Sequence, residues 1–202
     1  MKLYNSVTAP NPRRVRIFLA EKNIQVPTVD MDLSKGASRT PEFLAINPMG
    51  GVPVLELDDG TNIAETVAIC RYFEETHPQP ALFGRGAKNM AVVEMWQRRT
   101  ELYIFETITN IFRNQSDFFK GRVHQVPEYG EVERGHLMPR LQWLDRELAQ
   151  RRFIAGDEYS IADITLTVAL MLAPRANVAI DPKLTHLNRW FAEMAQRPSF
   201  KA

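Results

Sequence analysis

The chain changes grammar once, and that change limits what it can fold into. The segment "HPQPALFGRGAK", residues 77–88, holds two prolines and two glycines in a dozen residues. That is the composition of a linker. Before it, short β-prone pieces alternate with helix-like pieces. After it, the chain reads as nearly all helix. The expected organisation is an α/β domain over 1–77, a linker over 78–86 and an all-helical domain over 87–202.

Within the first part the expected order is βαβαββα. "KLYN" is short, apolar and β-prone. "RRVRIFLAEKN" places Val15, Ile17, Phe18 and Leu19 near one helix face, with Asn23 as C-cap. "QVPTVDMDL" reads as a strand, and Pro27 suggests an edge or an irregular start. "TPEFLAIN" reads as a short helix with Thr40 as N-cap and Pro41 at its first position. "VPVLEL" and "TNIA" flank a tight turn. "ETVAICRYFEETH" is a helix with positions 67, 69, 70, 72 and 73 facing the sheet. In the second part, "AKNMAVVEMWQRRTELYIFETITNIFRNQSDFF" is long for one globular helix, so a kink or break is expected inside it. Three further helical stretches follow, the middle one opening on "SIADITL".

Composition narrows the function classes. A net charge of +1 gives no reason to expect nucleic acid or an acidic membrane surface as partner. No stretch approaches the roughly 18 apolar residues of a membrane span, and the start has no apolar run of signal-peptide length. One cysteine, Cys70, excludes an internal disulfide. It lies in an apolar helical pattern and reads as core packing. The four histidines are far apart, so no metal site is expected. A cytoplasmic protein is the simplest reading.

Several motifs suggest chemistry. In "NPMGGVPVL" the Val52–Pro53 bond can be cis, as proline bonds can. Cis geometry would turn the Val52 N–H and C=O outward, toward the backbone of a bound peptide. The same spacing suits a plain loop-to-strand join. Glu65 and Thr66 sit at a helix start, where free N–H groups attract a carboxylate. Glu65 can accept from an ammonium, so the pair suits an amino acid's α-groups, though it also suits ordinary capping. Ser160 and Asp163 form a capping box to which no chemistry is assigned. Arg13, Arg14 and Arg16 oppose the macrodipole at a helix start and read as a solvated face with one structural ion pair.

In this order, "LAEKNI", "TPEFLAINPMGGVPVLEL", "ETVAICRYFEE", "LFG" and "GDEYSIADI" resemble the cytosolic glutathione transferases across nearly the whole chain. The resemblance implies a thioredoxin-like N-terminal domain, an all-α C-terminal domain, a homodimer and a detoxifying transferase. It implies glutathione as co-substrate and a small apolar electrophile as its partner. Carried over residue by residue, it implies that Val52, before Pro53, pairs with the cysteinyl backbone of glutathione. Glu65 and Thr66 would hold the γ-glutamyl end, and Arg39 would meet the glycine carboxylate, where a bidentate pair is available. Gly51 stands where relatives often carry glutamine.

The group that activates sulfur is less regular. Serine-type members carry their serine where this chain has Ala9, and Tyr4 reads as a strand residue. A free thiol titrates near 8.5 and reacts as thiolate, so one good hydrogen bond beside a helix start suffices. The candidates are Thr8, Asn11 and Ser6, in that order, or a backbone N–H at residues 8–11. Val7, Tyr103, Phe105, Ile108 and Phe112 are candidates for an apolar acceptor pocket, or for core. Two alternatives stay open: a glutathione-dependent peroxide or disulfide reductase, favoured by "APN", and a non-catalytic protein-binding module, favoured by Ala9.

Overall fold

A computed structural model describes residues 1–202. The chain divides into two compact units, Met1–Ala81 with Pro198–Ala202, and Leu82–Arg197. The first unit follows the expected βαβαββα order: β1 (Lys2–Asn5), α1 (Pro10–Glu21), β2 (Thr28–Asp30), α2 (Pro41–Ile46), β3 (Val54–Glu56), β4 (Asn62–Ala64) and α3 (Thr66–Thr76). The sheet order is β2-β1-β3-β4. β1 runs parallel to β2 and antiparallel to β3, and β3 runs antiparallel to β4. This is the thioredoxin-like arrangement. β2 is an edge, as Pro27 suggested, and is shorter than expected because only Thr28–Asp30 pair with β1.

Register is what positions the site. Tyr4 pairs with Val54, and Val54 pairs with Ala64. That row is the last that β1, β3 and β4 share, so β1 leaves it into Asn5–Asn11, Val52–Pro53 enters it, and Glu65–Thr66 leaves it. Three segments far apart in sequence therefore meet at one end of the sheet. Beneath them Tyr4, Phe43 and Val54 form a buried cluster backed by Met31, Ile46, Val52 and Ala64. On α3, Ile69, Cys70 and Phe73 are buried, while Val67 and Tyr72 are only partly covered. The helical face is thus narrower than the apolar residues alone suggest.

The last five residues, expected in the helical domain, belong with the first unit. Arg13 donates to the Phe200 carbonyl at 2.9 Å and lies over its ring, and Ser199 donates to Glu21. Lys22, the C-cap of α1, is buried, donating to the carbonyls of His77 and Pro80 at 2.7 and 2.6 Å and pairing with Glu74 at 2.8 Å. A buried ammonium is tolerated because every proton has an acceptor.

The second unit holds α4 (Gly86–Thr100), α5 (Glu106–Gln115), α6 (Pro127–Leu148), α7 (Ile161–Leu172) and α8 (Thr185–Ala195). The break expected in the long helix is a π-helical turn over Glu101–Phe105. A π turn displaces one carbonyl from the regular ladder. Arg140 donates to the Tyr103 carbonyl at 3.1 Å and to the Thr107 hydroxyl at 2.7 Å beside it. α7 is buried almost throughout. Its start carries the full Ser160–Asp163 capping box. The Asp163 carboxylate also accepts from Ile154 N and the Trp190 indole, at 2.9 and 3.0 Å.

Candidate functional site

The β1–α1 turn is built around backbone carbonyls. Ser6 is buried, and its carbonyl accepts from Ala9 N at 3.3 Å and from Arg16 Nη1 at 3.2 Å. Thr8 is exposed. Ala9 precedes α1 and offers no side-chain cap. Residues 10 and 12 are prolines without N–H groups. Asn11 is therefore the only backbone donor among the first three residues of the helix, and the anion-attracting end is correspondingly thin. Asn11 Oδ1 accepts from Arg14 Nη1 at 3.3 Å, which leaves its side-chain NH₂ as a donor. Tyr4 is committed elsewhere. Its hydroxyl donates to Glu56 at 2.8 Å and its ring meets Phe43 edge-on at 5.5 Å.

The arginine cluster is not a solvated face. Arg14 is only 3% exposed. Arg16 Nη1 donates to Asn5 Oδ1 at 2.7 Å and to the Ser6 carbonyl, while Nη2 donates to the Val7 carbonyl at 3.1 Å. The reason is local: the Asn5 carbonyl still accepts from Met31 N at 2.8 Å, but the Ser6 and Val7 carbonyls lie beyond the ladder, and a planar fork of donors suits them. Burial lowers the pKa of Arg16, with Arg13 adding to the effect and Asp30 opposing it.

The loop from α2 to β3 is organised by Asn47. Its amide donates to the Gly51 carbonyl at 2.9 Å, its side-chain oxygen accepts from Met49 N at 3.2 Å, and its carbonyl accepts from Gly50 N at 2.8 Å. Gly50 has φ +62°, and a Cβ there would stand 2.5 Å from Arg39 Nη1 and 2.9 Å from the Ser38 carbonyl. Only glycine fits that turn. Arg39 is exposed and donates to the Met49 carbonyl at 3.1 Å. Thr40 caps α2 by accepting from Phe43 N at 3.3 Å, as its position in the sequence predicts. The Val52–Pro53 bond is cis.

Glu65 stands just before α3 with φ 70° and ψ 125°. A side chain held at positive φ outside the left-handed helical region is strained, and such residues cluster at functional sites. Its carboxylate makes no capping bond, so it remains exposed at the helix start. Thr66 is buried beside it.

The sheet register thus brings Ser6, Thr8, Asn11, Val52, Pro53, Glu65 and Thr66 to one end, and Arg39 joins through the loop it holds. Arg16, Asn47 and Gly50 organise this end but carry no sequence signal of that role. The arginine run was visible; the carbonyls it serves were not. Cys70 is fully buried in α3 and belongs to the core. Of the apolar candidates, Phe105, Ile108 and Phe112 are core of the second unit, Tyr103 is 49% exposed there, and Val7 is exposed in the first unit.

Comparison with known proteins agrees with this geometry. Residues 8–76 match the family description "Glutathione S-transferase, N-terminal domain", and residues 103–198 match "Glutathione S-transferase, C-terminal domain". Glutathione S-transferase 2 of Saccharomyces cerevisiae is 37% identical over 205 residues, covering 100% of this chain and 88% of the relative. The crystal structure of Gtt2 from Saccharomyces cerevisiae superposes with a TM-score of 0.94 at 36% identity, covering 100% of this chain and 99% of that one. A glutathione S-transferase domain-containing protein from Marinobacter aquaeolei VT8 superposes with a TM-score of 0.92 at 38% identity, covering 99% of this chain and 100% of that one. With identity of this order over its full length and both domain descriptions matched, the chain belongs to the glutathione S-transferase family.

Proposed function

We propose that this chain is a glutathione transferase whose sheet end binds glutathione and whose β1–α1 turn activates the thiol. The observation that carries the reading is the Tyr4–Val54–Ala64 row. It supports a single site from the three segments that a γ-glutamyl tripeptide would need. In this reading the Val52 backbone pairs with the cysteinyl residue. Glu65 accepts from the γ-glutamyl ammonium, and Thr66 with the first N–H groups of α3 meets its carboxylate. Arg39 pairs with the glycine carboxylate.

Activation requires little. A donor to sulfur stabilises the thiolate, and the thiol proton leaves to solvent. Sulfur then forms the new bond to carbon while the electrophile's leaving group departs with its electron pair. The Thr8 hydroxyl and the Asn11 amide are the accessible donors. Ser6, being buried, ranks behind them. Family membership supports a homodimer, a cytoplasmic setting and a detoxifying role, and sedimentation at twice 23.1 kDa tests the first.

Binding and product assays test the core of this reading. Saturable binding of glutathione and formation of a thioether from a chlorinated aromatic are the expected results. Turnover of a hydroperoxide without thioether formation would make the chain a reductase. Absence of glutathione binding would overturn the reading in favour of a protein-binding module.

A further inference from the structure

We infer that Arg16 is a positioning residue for thiol activation: its guanidinium clamps the carbonyls of Ser6 and Val7 and so fixes the turn that presents the donors to sulfur. This inference rests on the functional reading above. Its geometry does not.

The clamp has three parts. Arg16 reaches back from α1 to the strand exit and donates to Asn5 Oδ1, Ser6 O and Val7 O at 2.7, 3.2 and 3.1 Å. The Asn5 amide is itself fixed, because its nitrogen donates to Asp30 Oδ1 at 2.5 Å while its oxygen accepts from Arg16. Asn5 and Asp30 are directly paired across β1 and β2. A continuous line therefore runs from an exposed carboxylate on the edge strand, through a buried amide, to a half-buried guanidinium, and ends on the turn. Asp30 is the carboxylate on this line, and Arg13 is the neighbouring cation.

The consequence follows from what the turn lacks. Ala9 gives no cap, and prolines occupy two of the first three helix positions. The turn's own backbone bonds are long: Ala9 N to Ser6 O is 3.3 Å, and Arg13 N to Ala9 O is 3.4 Å. Charge-assisted bonds from Arg16 are stronger than these. Without them Thr8 and Asn11 lose their fixed place relative to sulfur, and a displacement of about 1 Å is enough to cost a large part of the rate. Arg39, Val52, Glu65 and Thr66 do not depend on this clamp, so glutathione affinity should survive its loss.

The test uses the pH profile of kcat/KM for a chlorinated aromatic in wild type, Arg16→Gln, Arg16→Lys and Asp30→Ala. In R16Q the acidic inflection is expected to move to a pH about tenfold lower in proton concentration. At a pH below it, kcat/KM falls about tenfold, while the glutathione Kd stays within about twofold. R16K, a point donor in place of a fork, should fall between. D30A should shift in the same direction by less, and because Asp30 is exposed this variant reports even if R16Q fails to fold. Amide exchange at Thr8 and Ala9 without glutathione is expected to quicken in each variant. An unmoved inflection with unchanged exchange would overturn the inference. A wild type with no low inflection would instead sink the functional reading, and the exchange rates would still decide whether Arg16 holds the turn.

Discussion

At the scale of single residues, Arg39 and Gly50 work as a pair. Arg39 is exposed and braced on the Met49 carbonyl, and Gly50 leaves the space the guanidinium occupies. Arg39→Ala should weaken glutathione binding about ten- to a hundredfold, the worth of a charge-assisted pair of roughly 1.5–3 kcal/mol. Its melting temperature should scarcely change, since the side chain is exposed. Gly50→Ala should do both harms. Its Cβ meets Arg39 at 2.5 Å and its φ is positive, so titration calorimetry should find weaker binding and urea unfolding a loss of about 1–2 kcal/mol. Arg39 was singled out only by the resemblance, from its place before "TPEFL". Gly50's role was not, because a glycine pair in a sequence does not say which φ turns positive or what side chain fills the space.

At the scale of elements, the start of α7 carries the clearest pH dependence. Burial pushes the Asp163 carboxyl up to about 6, against four hydrogen bonds from Ile154, Ser160 and Trp190 that pull it down. In the unfolded chain the same group titrates at 3.8. The native state therefore holds this proton more tightly, and the stability it lends is complete below about pH 4 and lost as pH rises through about 6. The gap between 3.8 and about 6 corresponds to on the order of 3 kcal/mol. Urea unfolding at several pH values should show that Asp163→Asn is flatter than wild type across this window. It should also be less stable throughout, because one amide oxygen cannot serve four donors. A difference between the two that does not change with pH would contradict the assignment. The capping box itself was legible, since [ST]-x-x-[DE] before an apolar run has a mechanism. The π turn was legible only as excess length. Its Tyr103 carbonyl accepts from Arg140, 37 residues on in sequence, a contact that no local pattern announces.

At the scale of the whole molecule, the two grammars of the sequence correspond to two compact units, because period-2 and period-3.6 patterns bury different surfaces. The edges of that division depend on contacts that no pattern announces. The final five residues return to α1 through Arg13, Phe200 and Ser199. The sheet end was legible only in pieces. Each of Val52, Glu65 and Thr66 had an ordinary explanation alone, and it is the strand register that brings them together. The proposed function depends on this end binding glutathione and lowering its thiol pKa. An ultraviolet titration of the thiolate of bound glutathione, with Thr8→Ala and Asn11→Ala alongside, reads both properties at once. The expected result is a pKa clearly below that of the free thiol, with at least one of the two variants returning toward the free value. Bound glutathione that titrates as it does in water would contradict it.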